Sequence, residues 1–333
     1  MSAEESVAPL AGEGSVLEVD EALEGKDSAY GDDEQSFTTS LTSSITDYKF
    51  HHGRRFHAYK EGTYQFPNDE AEQDRLDMFH EICNLLTGGK LAFAPFNTTG
   101  TILDTGTGTG IWSVEAGERW PAAQILGNDL SPIQPRWVPP NVKFEVDDLE
   151  SDWTFEKPFD FIHSRYLVCS LSDWPRYIRQ CFEFTKEAGW AEFQDWDLNP
   201  LTDDGTLTED NQVAVLQKHM IEACDKMGRP GRPGPKLKEW CETAGYKNVT
   251  ERVIKLPIGM WPKDKVLKQV GALMMVNYLE ALEAMTVGLF TTVLGWSIDE
   301  VQTFLVGVRK DMRRKDVHVY FNLHFVYGQK LNG

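Results

Sequence analysis

The chain has 333 residues, enough for one large domain or two smaller ones with a buried core. Its formal net charge of −19 argues against sequence-independent binding to nucleic acid, which depends on basic side chains facing phosphates. No secretory signal is visible, and no apolar stretch reaches the roughly 18 residues that a bilayer-spanning helix needs. We therefore expect no nucleic acid and no membrane among its partners.

The five cysteines are an odd number without a C-x-x-C pair, which indicates neither a zinc site nor a disulfide framework. We expect reduced thiols, no bound metal and a cytoplasmic protein, with the nucleus as the alternative location.

The N-terminal segment is strongly acidic. Residues 1–40 carry eleven acidic residues and one basic residue, Lys26, a net charge of −10. Such a segment buries too little apolar surface to offset the entropy of ordering. We predict that residues 1–44 form a disordered acidic leader, through which protein partners can bind.

A helix precedes the first strand of the predicted domain. Apolar side chains recur on one face from Glu70 to Leu86, and Gly88 and Gly89 end the pattern.

A glycine-rich turn then joins an apolar strand to a helix. Gly106, Gly108 and Gly110 occupy alternate positions after Asp104. Glycines let the backbone approach a ligand closely, and the helix start presents free N–H groups to it. This arrangement predicts a site for a nucleotide-type cofactor.

The spacing of the glycines separates two classes of cofactor. Dinucleotide enzymes favour G-x-G-x-x-G, but here Ile111 takes the third position and Gly110 comes one residue early. The Asp104 carboxylate suits a cationic amino group better than a diphosphate. The pattern D-x-G-x-G-x-G resembles motif I of class I S-adenosylmethionine (SAM) methyltransferases, which implies that Asp104, Gly106, Thr107 and Gly108 bind SAM. An ordinary strand-to-helix turn is the alternative.

Acidic residues end the next two predicted strands. Asp129 follows Gly106 by 23 residues, about where a Rossmann-like sheet holds its ribose-binding carboxylate. Asp147 and Asp148 follow a strand at 142–146, and we expect one of them to accept a hydrogen bond from the adenine amino group. The predicted cofactor site also includes the following residues: Leu130, Leu149, His163 and Ser164.

The remaining pattern completes an α/β domain over residues 45–333. We predict a cap or lid at 45–98, a cofactor-binding core at 99–197, helical insertions that cover the substrate at 198–316, and a last strand at 317–329. The predicted fold is a Rossmann-like, seven-stranded methyltransferase sheet.

The segment before the glycine turn narrows the family. The runs Gly53 to Tyr64, Pro67 to Asp69 and Arg75 to His80 are similar to the region that precedes motif I in the fungal LaeA-like methyltransferases. The similarity runs from about Tyr48 to Gln329. It implies SAM as cofactor and S-adenosylhomocysteine (SAH) as product. The family includes regulators of secondary metabolism and tailoring enzymes.

Two groups of side chains are candidates for the chemistry. A general base is optional in methyl transfer, and the candidates are His163 and His219, with Asp195 and Asp197 as further options. Each histidine has a structural alternative, orienting the backbone or cofactor for His163 and solvent exposure for His219. Tyr48, Arg54 and Tyr59 resemble a lid over SAM, although docking the segment to the sheet would use the same residues.

Aromatic and methionine side chains are the candidates for shaping a substrate pocket: Tyr64, Trp112, Tyr166, Trp196, Met274 and Tyr278. Core packing is the alternative for Trp112 and for the methionine and tyrosine on the late helix.

The sequence therefore predicts SAM-dependent methylation of a small secondary metabolite at O, N, S or C. A regulator that acts through protein partners and a SAM-binding protein that transfers no methyl group are the alternatives.

Overall fold

The computed structural model describes residues 10–20, 49–51, 54–56 and 67–331. Tyr48, Tyr59 and Tyr64 lie outside these ranges, so their assignment to the lid, the cofactor and the substrate stays a prediction.

The described residues form one seven-stranded sheet behind a short antiparallel pair, β1 (Lys49–His51) and β2 (Arg54–Phe56). The sheet strands are β3 (Thr101–Thr105), β4 (Gln124–Asp129), β5 (Val142–Val146), β6 (Phe159–Arg165), β7 (Thr185–Leu201), β8 (Lys247–Pro257) and β9 (Tyr320–Gln329). Their order is β5-β4-β3-β6-β7-β9-β8, with β3 to β7 parallel and β9 antiparallel to both neighbours. The predicted α/β methyltransferase-type sheet is confirmed.

Seven α-helices cover the sheet in the described part of the chain. They are α1 (Glu70–Leu86), α2 (Ile111–Arg119), α3 (Trp174–Phe184), α4 (Gln212–Lys226), α5 (Leu237–Ala244), α6 (Lys265–Leu289) and α7 (Ile298–Met312). Side chains of Asp69, Asn211, Asp264 and Ser297 accept hydrogen bonds from first-turn N–H groups and fix four of the helix starts. A π-helical turn, Phe290–Leu294, extends α6.

The sequence pattern predicts a helix at 176–186 before β7, and the structure gives it other bounds. It begins at Trp174 because Asp173 caps it and Pro175 lies in the first turn, where a missing N–H costs nothing. It ends at Phe184, and the buried, β-branched Thr185 begins the strand.

Both faces of the sheet are buried, as parallel strands require. On one face, helices α1, α4, α6 and α7 pack around Trp196, Phe321 and Phe325. A further core cluster on this face lies beneath α2 and includes Trp112. The opposite face packs α3 and α5 around Tyr177. The strand order reverses between β3 and its neighbours β4 and β6, and open α/β sheets bind ligands at such a switch point.

Residues 10–20 are ordered against the sheet edge, so the prediction of a disordered leader is wrong for this segment. The side chain of Leu17 is buried, and Lys255 N donates to Gly12 O across the edge of β8. Glu13 accepts from the Arg252 Nε at 2.8 Å and from its second terminal nitrogen. The overall charge and hydropathy of the leader predicted disorder. That average does not show that Glu13, Glu18 and Asp20 each pair with a basic side chain of the folded domain.

One helix of the described chain, Lys265–Leu294, is long and apolar enough to cross a membrane. Half of its apolar stretch is buried, and the helix packs against α1 and β8. Core helices of this kind meet the same criteria, so the feature is weak evidence for a membrane span.

We predict that Glu13→Ala releases residues 10–20 from the sheet edge. Loss of a partly buried bidentate pair should accelerate amide exchange of Lys255 roughly tenfold, because its partner Gly12 O moves away. Hydrogen–deuterium exchange with Val16→Ala as control provides the measurement, since Val16 is 73% exposed. Unchanged exchange in Glu13→Ala would contradict the docking role of this pair.

Candidate cofactor and acceptor site

The glycine turn has a backbone conformation that residues with side chains rarely adopt. Gly106, Gly108 and Gly110 have φ of +64°, +57° and +81°, in the left-handed region. A Cβ on Gly106 would lie 2.5 Å from Leu167 Cδ2, and one on Gly110 would lie 2.5 Å from Phe144 Cζ. The turn therefore passes tightly between β3 and α2 and leaves its ligand side open.

Asp104 is the buried centre of this turn, only 2% exposed. Its carboxylate accepts from Thr107 Oγ1 at 2.6 Å, Ser113 Oγ at 2.8 Å and His163 Nδ1 at 2.8 Å. Burial opposes its ionisation, but the His163 hydrogen bond and the two hydroxyls lower its pKa below the usual value. The carboxylate is thus ionised at neutral pH and ties β3, β6 and α2 together.

His163 acts on Asp104 rather than on a substrate. Its ring is 1% exposed and stacks on Trp112 with the centroids 3.8 Å apart. Burial lowers its pKa, so a neutral ring donates Nδ1–H to the carboxylate. The structure favours an orienting role over the general base.

Trp112 packs beneath the turn, where its Nε1 donates to Leu91 O at 3.1 Å. It is 2% exposed, so the core-packing alternative describes it better than substrate binding.

Asp129 lies beside the glycine turn at the end of β4. Its Oδ2 accepts from Gly108 N and its Oδ1 from Ser131 N, both at 2.9 Å. Burial raises the pKa of this carboxyl, and the two N–H groups oppose the shift. The position fits hydroxyl donors of a ribose, as the sequence predicts.

These groups line one cavity, which we call the first cavity, with about 1210 Å³ of space that includes open solvent. The predicted cofactor residues that line it are Asp104, Gly106, Thr107, Gly108, Asp129, Leu130, Asp147, Asp148, Leu149 and His163. Asp148 is held in its turn by Glu150 N and Ser151 Oγ, whereas Asp147 accepts from Asp148 N. The ordered acids of the sequence therefore meet at one edge of the sheet.

Two predicted cofactor residues lie elsewhere. Ser164 follows His163 in β6, and because side chains alternate along a strand it faces the opposite side, toward Tyr177. Arg54 forms a bidentate pair with Asp69, at 2.5 and 2.7 Å, and does not line the first cavity. Arg165 is the only arginine or lysine among the described residues that do line it.

A second cavity, with about 610 Å³ of space that includes open solvent, adjoins the first at Tyr166, which lines both. The structure brings four of the predicted substrate residues together there: Tyr166, Trp196, Met274 and Tyr278. Tyr166 has a φ of +63° and packs against Phe79 and Trp196, with ring centroids at 4.8 and 5.6 Å. The wall between the cavities is thus aromatic.

A buried polar network supports that wall, and we did not predict it from the sequence. Arg75 pairs with Glu72 and donates to Asn277 Oδ1 at 3.1 Å and to Tyr166 Oη at 3.4 Å. The Asn277 amide donates back to Arg75 O at 2.6 Å. Glu72 and Arg75 are three residues apart on the helix face, which is the one signal that the sequence offered.

The other base candidates are engaged away from both cavities. His219 lies among Phe290, Trp296 and Phe304 and lines neither cavity, so it is not placed to act as a base. Asp197 is paired with Arg232 at 2.6 Å.

Asp195 braces the loop that carries Tyr166. It accepts from Leu167 N at 2.7 Å, Val168 N at 3.1 Å and Trp196 N at 2.8 Å. Burial raises its pKa to about 7, against these three hydrogen bonds. It lines neither cavity, so its role is to hold backbone.

We predict that Gly106→Ala and Asp129→Ala each raise the Kd for SAH roughly tenfold or more, about 1.4 kcal/mol. The first places a methyl group against Leu167, and the second removes the proposed ribose acceptor. Isothermal titration calorimetry measures the effect. Gly205→Ala is the matched control, because Gly205 has a φ of +76° but no atom within 4 Å of its added Cβ. Unchanged affinity in both test variants would contradict the site.

We also predict that the two histidines differ in their effect. His163→Ala removes a donor from a buried carboxylate and should cost roughly 3 kcal/mol of unfolding free energy and weaken SAH binding. His219→Ala should leave SAH binding unchanged. Urea unfolding and calorimetry on both variants test this, and equal SAH affinities for His163→Ala and the unmodified protein would argue against the Asp104 network.

Several known proteins are similar to this chain in sequence. A family model described as a methyltransferase domain matches residues 75–251. Methyltransferase pytC of Aspergillus terreus is 47% identical over 300 residues, covering 90% of this chain and 93% of that protein. The probable methyltransferase tdiE of Emericella nidulans is 34% identical, covering 81% of this chain and 86% of that protein.

The secondary metabolism regulator laeA of Monascus pilosus is 31% identical over 320 residues, covering 93% of this chain and 87% of that protein. The family match spans the glycine turn, Asp129 and the acids after β5, which line the first cavity. The chain therefore belongs to the LaeA-like class I methyltransferases and uses SAM as its methyl donor.

Proposed function

We propose that this methyltransferase acts on a small, flat, largely apolar acceptor of fungal secondary metabolism that occupies the second cavity. The observation that carries the proposal is the junction of the two cavities at Tyr166. A donor held by the first cavity and an acceptor held by the second would meet there. The relationship to a protein named as a secondary metabolism regulator supports the metabolic context.

The residues of the first cavity fit the cofactor. Asp104 is oriented by three donors, Asp129 suits the ribose hydroxyls, and Asp147 and Asp148 lie where the adenine amino group would donate. Arg165 is the cation available for the amino-acid carboxylate, in place of Arg54. The bound cofactor supplies an electrophilic methyl group on a sulfonium, and the aromatic faces of Tyr166 and Phe79 can stabilise its positive charge.

The second cavity favours alignment over base catalysis. Its described lining holds aromatic, aliphatic, thioether, thiol, amide and guanidinium groups but no histidine and no carboxylate. Burial raises the pKa of the Tyr166 and Tyr278 hydroxyls, so both stay protonated at neutral pH. The nucleophilic atom of the acceptor must therefore react without a base from this cavity. The protein contributes orientation and exclusion of water.

One buried donor indicates what the acceptor carries. Trp196 lines the second cavity, is 2% exposed, and its Nε1–H has no acceptor among the described residues. A buried unsatisfied donor costs about 1–3 kcal/mol, which an oxygen atom of the acceptor would recover. We therefore propose an acceptor with a carbonyl or hydroxyl oxygen on an aromatic or conjugated framework.

The regulatory alternative rests on the laeA relationship and on the acidic leader. Incubation with SAM carrying an isotopically labelled methyl group, together with aromatic hydroxyl compounds and fungal metabolite extracts, separates the two. The proposal expects label in a small molecule. Label on a co-purified protein would support the regulator, and SAM binding without any transfer would support the non-methylating alternative.

Filling the second cavity should abolish transfer without affecting the cofactor. Ala281 lines that cavity, so Ala281→Phe should lower kcat/KM for the acceptor roughly a hundredfold or more while the Kd for SAH stays unchanged. Val276→Phe is the matched control on the same helix, because Val276 is 45% exposed. Full activity in Ala281→Phe would place the acceptor elsewhere.

A further inference from the structure

Two cysteine thiols lie together at the wall of the second cavity. Cys169 lines the cavity, and Cys224 lies on α4; both are buried and free. Cys224 Sγ donates to Cys169 Sγ across 2.7 Å. The sequence offered no signal for this contact, because 55 residues separate the two positions.

We propose that Cys169 and Cys224 are an oxidation site, and that their reversible disulfide ties the Cys169 loop to α4 and so prevents the second cavity from opening to admit an acceptor. The disulfide itself follows from the geometry of the two thiols. Its effect on the acceptor rests on the proposed function of that cavity.

Little movement separates the thiol pair from the bond. A disulfide has an S–S distance of about 2.05 Å, so closure shortens the separation by only about 0.7 Å. Cys169 has a φ of +61°, a backbone conformation that its surroundings must enforce. The surrounding structure therefore fixes the backbone at Cys169.

The bond would join two walls of the second cavity. On one side, Tyr166 N donates to Gln194 O, and Leu167 N and Val168 N donate to Asp195, which anchors the loop to β7. On the other side, α4 contributes Gln217 and Met220 to the lining. A covalent link between this loop and α4 limits the opening that an acceptor needs for entry.

Hydrogen peroxide is a sufficient two-electron oxidant for the pair, and Cys169 is the thiol that lines the cavity. One peroxide oxygen is transferred to the Cys169 sulfur, which gives a sulfenic acid and one water. The Cys224 sulfur then displaces the sulfenic hydroxyl as a second water. Two thiols are oxidised to one disulfide, peroxide is reduced to two waters, and both thiol protons leave in those waters.

The thiol pair reacts slowly with oxidants. The hydrogen bond from Cys224 and burial raise the pKa of the Cys169 thiol well above its usual value, which reduces its thiolate fraction. The thiols are therefore expected to stay reduced until an oxidant persists.

The test treats the full chain with hydrogen peroxide, blocks the remaining thiols, and maps peptides by mass spectrometry. We expect one cross-linked peptide pair containing Cys169 and Cys224, lighter by two hydrogens, and slower amide exchange in residues 166–171. The Kd for the fluorescent probe 1-naphthol, measured with SAH present, should rise roughly tenfold, while the Kd for SAH stays unchanged. A thiol reductant should reverse every change.

Cys224→Ala should lose all these responses, whereas Cys241→Ala, which removes another buried thiol, should keep them. Absence of the cross-link in native protein would overturn the oxidation site. A cross-link that leaves 1-naphthol affinity unchanged would overturn closure of the cavity. If reduced protein does not bind 1-naphthol at all, the proposed acceptor site fails, and the peptide map and amide exchange still decide the disulfide.

Discussion

The site depends on one buried carboxylate. Asp104 receives hydrogen bonds from the glycine turn, from α2 and from β6, so a single charged group fixes three elements at the switch point of the sheet. Burying a charge without such donors would cost several kcal/mol, and the three contacts offset that cost. The same contacts position the glycine backbone, whose Gly108 N–H in turn holds Asp129. The cofactor side of the protein is therefore preorganised by electrostatics.

The second cavity is built differently, by packing around a polar support. Tyr166 lies between the two cavities in a left-handed conformation; its backbone N–H donates to Gln194 O, and its hydroxyl accepts from Arg75. The second cavity is lined mainly by aromatic, thioether and aliphatic side chains, with Arg75, Asn277 and Gln217 as its polar groups. A methyl transfer without a protein base is consistent with this arrangement, because its rate depends on alignment.

The sequence predicted the fold and most of the residues that line the first cavity, because both depend on local patterns. Asp104, Asp129, Asp147 and Asp148 each follow a strand, and parallel strands bring their carboxyl ends to one edge. Ser164 does not line the first cavity, because one step along a strand reverses the face. Arg54 does not line it either, because its guanidinium pairs with the helix cap Asp69. The network of Arg75 with Asn277 and the contact of Cys169 with Cys224 join residues far apart in sequence, and no local pattern encodes such pairs.

The central claim is that a donor site and an acceptor site meet at Tyr166. A crystal structure of the protein with bound SAH tests it most directly. We expect the SAH sulfur to lie beside the Tyr166 ring and to face the second cavity, with the ribose hydroxyls donating to Asp129. A sulfur that faces bulk solvent, with the second cavity closed off behind protein atoms, would contradict the claim.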